Sequence, residues 1–315
     1  MKSLDNSVHA VIKTTDMLVY FFIYSLFCLS VLGSKRLPDW EMHALNLFLT
    51  GIVYFGLSLL SRYLEHGLFS FSLRVILIVS LCSHLFQAVG PLQHVLFERW
   101  FDDILISLEV QLTGTETSIF LQKITSPIVT EWMMFCYVIY VLLLPVTAFL
   151  CFRHAGRIGG ERYLLNLVTV NIICFSGFIT FPVASPLFYM PEIYTVPLEG
   201  GIFTWCGEWI RANQHYPGGA LPSPHAAAGS IMLFAVYRYA HRYAFIYLPI
   251  VFTIYIATVY GRYHYIWDVF TGILAAVLVL RAMPSVIIKM TRFEGQLQKK
   301  FFVKKNLLKQ ERSWS

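Results

Sequence analysis

Charge is scarce in this chain. Asp, Glu, Lys and Arg make up 13% of its 315 residues, where soluble domains carry about 25%. Apolar residues reach 57% and the mean hydropathy is +0.62. That balance excludes an ordinary pair of soluble domains. No CxxC or HExxH string occurs, so no metal site is indicated by spacing. Internal repeats and low-complexity stretches are also absent, which removes solenoid arrays from consideration. The first apolar run, after Asp16, has no small-residue cleavage site and reads as a retained anchor. The six cysteines suggest no disulfide framework. Cys28, Cys82, Cys136, Cys151 and Cys174 fall in or at the ends of apolar runs, where Cys acts as a small apolar side chain. Cys206 stands alone.

What is present is a series of apolar runs. Eight are expected to span a membrane, at about 17–33, 43–61, 72–97, 131–152, 163–181, 224–240, 243–260 and 266–283, each near the ~20 residues a bilayer requires. Gly90-Pro91 is expected to break or kink the third. With the N-terminus inside, 18 of the 24 Lys and Arg residues lie on the inner side, as the positive-inside bias demands. The expected organisation is a two-helix anchor over 1–70, a six-helix core over 71–285 and a basic cytoplasmic tail over 286–315. The net charge of +6 comes mostly from that tail, "KKFFVKKNLLKQER". It reads as a solvated inner end, or as a helix lying on an anionic leaflet. No folded soluble domain presents the charge, so nucleic acid is not expected as a partner.

Two long segments fall on the outer side. In "ERWFDDILISLEVQL", Phe101, Leu105, Leu108 and Leu112 recur at helical spacing, and Asp102, Asp103 and Glu109 lie mostly elsewhere. This predicts a helix resting on its apolar stripe at the interface. In "GIFTWCGEWIRANQ", Ile202, Trp205, Cys206, Trp209 and Ile210 share a face, and the two Trp suit an anchor at headgroup level. Both segments are candidates to wall a pocket open sideways to lipid, or to be plain surface anchors.

The chemistry concentrates in two short stretches. In "LPSPHAAAGS", Ser223 suits an N-cap and Pro224 the first helical position, so His225 lies in the first turn. In "YGRYHYIWDVFTG", Arg262, His264 and Asp268 fall within seven residues. The helix after His225 runs inward and the 243–260 helix returns, so His225 and His264 are expected at one face. His264 and Asp268, four apart, share one side of a helix. A carboxylate there fixes the ring tautomer and frees the other nitrogen as a base or nucleophile. His225 then suits a proton donor. Ser223, Arg262 and the free N–H groups around 223–226 make an anion site. Taken singly, either His is an ordinary interfacial residue and His264–Asp268 a structural pair. Together they supply what phosphoryl transfer needs. His84, His94 and His154 have no such partners and are read as structural. Arg238, His241 and Arg242 are read as inner-side charges. A transporter using His264–Asp268 as a proton relay is the rival from another class. It predicts further ionisable residues deep in other spans, and none is clearly placed.

At these residues the chain resembles the type 2 phosphatidic acid phosphatase superfamily, most closely the branch of inositol phosphorylceramide synthases and related bacterial membrane proteins. The resemblance rests on "FPVASPLFYM", "PSPHAAAGS" and "TVYGRYHYIWDVFTG". It implies an all-α integral membrane fold with a six-helix catalytic core, and a phosphohistidine mechanism without metal or other cofactor. By resemblance His264 attacks phosphorus, Asp268 orients it, and His225 protonates the leaving oxygen. Ser223 and Arg262 would bind phosphate. The implied substrate is a lipid phosphate, hydrolysed or transferred at the periplasmic face of a bacterial inner membrane. The chain departs from the phosphatases: it has no Arg-Pro, Thr258 stands where their Arg precedes the nucleophile by six residues, and Pro224 replaces the small residue of PSxH. Leu187 takes the place of an Arg common in the bacterial relatives. Arg262 is the candidate substitute cation. The same Lys and Arg are missing from the synthases.

Overall fold

The structure is a computed structural model that describes residues 2–64, 67–214 and 216–313. It is all-helical; among the described residues there is no strand. The helices are α1 (Lys2–Leu32), α2 (Trp40–Tyr63), α3 (Leu68–Val89), α4 (Asp102–Thr113), α5 (Thr117–Leu121), α6 (Pro127–Thr180), α7 (Pro186–Tyr189), α8 (Ile202–Gln214), α9 (Pro224–Tyr239), α10 (Ala244–Tyr260) and α11 (Ile266–Ser313).

Among the described residues, six helices are long and apolar enough to cross a membrane. The eight expected runs map onto these and two refinements. First, α6 is one 54-residue element that departs from helical geometry at Gly156 (φ 66°). In a straight helix Leu144 and Tyr163 would lie about 28 Å apart. Instead the Tyr163 hydroxyl donates to the Leu144 carbonyl at 3.1 Å, so α6 folds back and its halves are two rods. A glycine suits the turn because its φ lies in the left-handed region. The expected inner loop over 152–162 is thus almost wholly helical. Second, α9 has only 16 residues, shorter than the others, and it is lined by small buried residues (Ala226, Ala227, Ala228, Gly229) that let neighbours approach. It packs against α6, α10 and α11 at the centre of the molecule. The expected break at Gly90-Pro91 is there: α3 stops at Val89 and a single 3₁₀ turn follows.

The expectation that other spans carry no well-placed ionisable residues is overturned. Asp16 of α1 accepts from Arg74 at 2.6 Å, from Arg62 at 2.5 Å and from the Tyr54 hydroxyl at 2.6 Å. Arg74 also pairs with Glu161 at 3.3 Å, and Glu161 with Arg157 at 3.4 Å. Arg62, Arg74 and Arg157 are among the 18 inner-side Lys and Arg of the sequence, but Arg74, Asp16 and Glu161 are fully buried. In a bilayer an ionisable group turns to the protein interior and takes a partner. This network clips α1 and α2 to α3 and the second half of α6. It lies at the opposite end of the bundle from His264, and its members are paired with one another. The side chains of the basic stretch 299–312 lie outside the described residues.

Candidate functional site

The two motif helices meet head to head. Ser223 caps α9, its Oγ accepting the Ala226 N–H at 3.3 Å, with Pro224 as the first helical residue. The Ser223 N–H donates to the Asp268 carbonyl of α11 at 2.9 Å. Gly272, one turn further along α11, makes this approach possible. A Cβ there would lie 2.5 Å from the Ser223 carbonyl oxygen and 3.2 Å from the Ala226 Cβ.

At the start of α11, Asp268 does two things with one oxygen. Its Oδ2 accepts the Tyr265 N–H at 2.8 Å, capping its own helix. The same Oδ2 lies 3.3 Å from His264 Nδ1. A carboxylate oxygen accepts there, so the ring proton belongs on Nδ1 and the lone pair on Nε2. His264 is 3% exposed and Asp268 is fully buried.

His225 is brought to the same place. Its ring centroid is 5.7 Å from that of His264. Tyr137 stacks on it at 4.9 Å, Tyr140 lies at 4.8 Å, and Tyr137 in turn stacks on Tyr263 at 4.9 Å. The surroundings of His225 are therefore a wall of tyrosines contributed by the first half of α6 and the 261–265 turn.

Arg262 is placed differently from a free phosphate clamp. It is a non-glycine residue at φ 67° and nearly buried. Its Nη2 donates to the Val196 carbonyl, and its guanidinium lies 4.2 Å from the Tyr194 ring centroid. Its own carbonyl accepts the Leu187 N–H at 2.9 Å. Burial lowers its pKa from the ordinary value. The site therefore holds a cation whose donors are partly spent on the 182–222 segment.

Two buried carboxylates escaped the sequence reading. On α4 the buried face is Asp102, Leu105 and Glu109, while Leu108 and Leu112 are exposed. The apolar stripe is thus divided: Leu105 turns in with the two carboxylates, while Leu108 and Leu112 stay on the outside. Asp102 accepts the N–H groups of Ala184 (2.8 Å) and Ser185 (3.1 Å) and the Tyr265 hydroxyl (2.9 Å). Glu109 accepts the Ile266 N–H at 2.6 Å and the Thr117 N–H at 2.7 Å, so it holds the first residue of α11. Burial pushes Asp102 up to about 6, and nearby Asp268 adds to this. Burial also raises Glu109. The signal was available: Asp102 and Glu109 are seven apart and share a face. Beside lipid, the polar face of a helix is the one that turns to protein.

On the second outer segment the apolar face is turned outward. On α8, Ile202, Trp205 and Trp209 are exposed. Glu131 of α6 receives the N–H groups of Gly201, Phe203 and Thr204 at 2.7, 2.8 and 3.1 Å, a carboxylate on a helix N-terminus. A groove of about 590 Å³ opens sideways between α8 and the start of α6, lined by Trp132, Phe135 and Phe203 among others. Met134 and Tyr137 form the cluster behind Phe203, so this groove lies beside the histidines and not at them. The other histidines keep local partners: His84 with Thr50 at 2.9 Å, His94 with the Phe97 carbonyl at 3.0 Å, and His154 against the Tyr243 ring. All six cysteines are free. Among the described residues no group of three or more His, Cys, Asp or Glu side chains is arranged to hold a metal.

The family model of the PAP2 superfamily matches residues 164–292. The match takes in the second half of α6, the PSPH helix head and the HxxxD helix head. No curated protein matches the chain, and no solved structure does.

Proposed function

We propose that this membrane protein is a lipid phosphate phosphatase or phosphotransferase that works through a phosphohistidine at His264. The observation that carries the reading is the His264–Asp268 contact with the His225 ring opposite it. Asp268 holds the proton on Nδ1, so His264 Nε2 attacks phosphorus as the bond to the leaving oxygen breaks. His225, protonated, gives its proton to that oxygen. In the second step neutral His225 takes a proton from water or a lipid alcohol, whose oxygen displaces His264. The product is inorganic phosphate or a new phosphoester, and both histidines return to their starting states. The Ser223 hydroxyl and the His225 N–H at the head of α9 are the donors to the phosphoryl oxygens, because the Ala226 and Ala227 N–H groups are engaged by Ser223 itself, with Arg262 as the nearby positive charge.

Transfer to a lipid alcohol, as in the inositol phosphorylceramide synthases that the motifs resemble, is the second reading. The near-complete burial of His264 and the tyrosine wall around His225 favour it, because they limit access of bulk water. The Lys and Arg distribution supports an outer-face site, and the likeness to bacterial membrane proteins supports a periplasmic one. A proton-relay transporter is disfavoured, because the buried charges inside the other spans, Asp16, Arg74 and Glu161, pair among themselves at the far end of the bundle and form no chain to His264.

The test is to incubate purified protein with lipid phosphates and with phosphodiester phospholipids, each with and without lipid alcohols, and to resolve free phosphate from phosphate esters newly formed on the alcohol. Release of phosphate supports the phosphatase, and a new phosphate ester of the added alcohol, a monoester from a lipid phosphate or a diester from a phospholipid, supports the transferase. Neither product from any donor overturns both.

A further inference from the structure

Asp102 has an unusual set of partners for a fully buried carboxylate. Among the described residues no Lys or Arg forms an ion pair with it. Its acceptor capacity is used by two neutral N–H groups and one hydroxyl, from two different parts of the site. A buried carboxylate is costly unless its oxygens are well satisfied.

What Asp102 holds is informative. Ala184 and Ser185 lie in the "FPVASP" turn, where Ser185 sits at φ 86°. A non-glycine residue in that region is strained and persists only when its surroundings fix it. The third donor, Tyr265, stands next to His264 in sequence, and its ring is fully buried. Its main-chain N–H goes to Asp268 Oδ2, the oxygen that faces His264 Nδ1. The hydroxyl end of Tyr265 is thus clamped by Asp102, and its backbone end clamps Asp268.

We propose that Asp102 is a positioning residue: through Tyr265 it fixes the Asp268–His264 pair, and through Ala184 and Ser185 it locks the facing turn in register with it. The proposal rests on reading His264 as the nucleophile. Asp102 itself touches no reacting atom. A misplacement of about 1 Å at a reacting group can cost 10²-fold in rate, so a lost anchor should appear in kcat and not in lipid binding.

The experiment compares Tyr265→Phe, Asp102→Asn and the double variant with wild type in detergent. It measures kcat and KM on the best lipid phosphate, thermal stability, and the ring-nitrogen shifts of ¹⁵N-labelled His264, assigned with His264→Gln. Tyr265→Phe deletes one hydroxyl and leaves the Asp102 contacts to Ala184 and Ser185, so it keeps the test alive if Asp102→Asn folds poorly. Expected are a kcat loss on the order of 10-fold or more in Tyr265→Phe with KM within about 2-fold, and a double variant no worse than Asp102→Asn alone, as for residues acting in one chain. The His264 shifts should move from an Nδ1-protonated ring toward a mixture of tautomers. Wild-type kcat and unchanged His264 shifts in Tyr265→Phe overturn the proposal. So does an activity loss that only tracks the unfolded fraction. If wild type turns over no lipid phosphate, the functional reading falls, and the tautomer comparison alone decides the positioning role.

Discussion

The rings of His225 and His264 face each other at 5.7 Å, centroid to centroid, with 64° between their planes. They come from different helices, and each is fixed by its own neighbours: Tyr137 and Tyr140 on one side, Asp268 on the other. One small group seated beside the pair can touch both. This is the arrangement expected of a nucleophile and a proton donor acting on one phosphorus.

His264→Ala should therefore abolish turnover, leaving the amount of folded protein unchanged. Asp268→Asn should cost orders of magnitude, because the amide no longer favours the Nδ1-protonated ring. The matching Asp→Asn change in a serine protease triad costs about 10⁴ in kcat. The control is His84→Ala, which removes a half-buried His whose partner is Thr50 and which should keep near-wild-type rates. Equal rates for His264→Ala and His84→Ala would show the HxxxD stretch to be structural.

The pH dependence of stability should carry the mark of Asp102. Its pKa rises from the ordinary 3.8 to about 6, chiefly through burial. A carboxyl raised on folding stabilises the fold below the unfolded value, and that contribution is lost as pH rises through the folded one. Wild type should thus lose stability between about pH 4 and 7 in a way that Asp102→Asn does not. Glu109, also raised, is common to both proteins and cancels in the difference. Melting temperatures across that range should show the advantage of wild type over the variant shrinking as pH increases. A constant difference would mean that Asp102 is not perturbed.

Much of this molecule was legible because lipid imposes simple rules. Runs of about 20 apolar residues marked the helices, and charge in a place where it is costly marked His264 and Asp268. Ser223-Pro224 announced a helix head, and α9 starts there. The missed part of α4 was its polar face: Leu108 and Leu112 face outward, but Asp102 and Glu109 turn in to the site instead of to solvent. Asp16, Arg74 and Glu161 were hidden because their partners sit on segments far apart in sequence and only the fold pairs them. The engagement of Arg262 by Val196 and Tyr194 was equally out of reach, because it depends on the path of an irregular segment.

Arg74→Ala should be strongly destabilising. It would leave Asp16 without its closest fully buried cation and Glu161 with only Arg157. Removing one partner of a buried ion pair costs about 3–5 kcal/mol. The expected result is a lower melting temperature and yield, with kcat per folded molecule unchanged, because the network lies at the far end of the bundle. A normal melting temperature would mean that Asp16 and Glu161 find other partners or lose their charge.

Sidedness is open to direct labelling. If the site faces outward, Glu199→Cys in a background without other cysteines, at an exposed position of the 182–222 segment, should react with an impermeant maleimide on intact cells. A cysteine replacing exposed Arg238, at the end of α9 away from His225, should react only after the membrane is opened. The reverse pattern would put the histidines on the inner side.

The closest test of the site's architecture is Gly272→Ala. A methyl group at that position would stand 2.5 Å from the Ser223 carbonyl oxygen and 3.3 Å from the Ala227 nitrogen. The first distance is well inside contact, and both atoms belong to backbone that cannot rotate away. The head of α9 must then move off α11, stretching the Ser223 N–H···O=C Asp268 bond of 2.9 Å and widening the gap between His225 and His264. Overpacking of this kind costs about 1–3 kcal/mol, which a bundle of this size should survive. Activity should not, since the two halves of the site sit on the helices being parted. Expected are folded protein in good yield and a kcat reduced by about 10²-fold. Gly56→Ala is the comparison, because a Cβ at Gly56 meets nothing within 4 Å, and it should retain full activity. If Gly272→Ala were as active as Gly56→Ala, the close approach of α9 to α11 would not be what assembles the site.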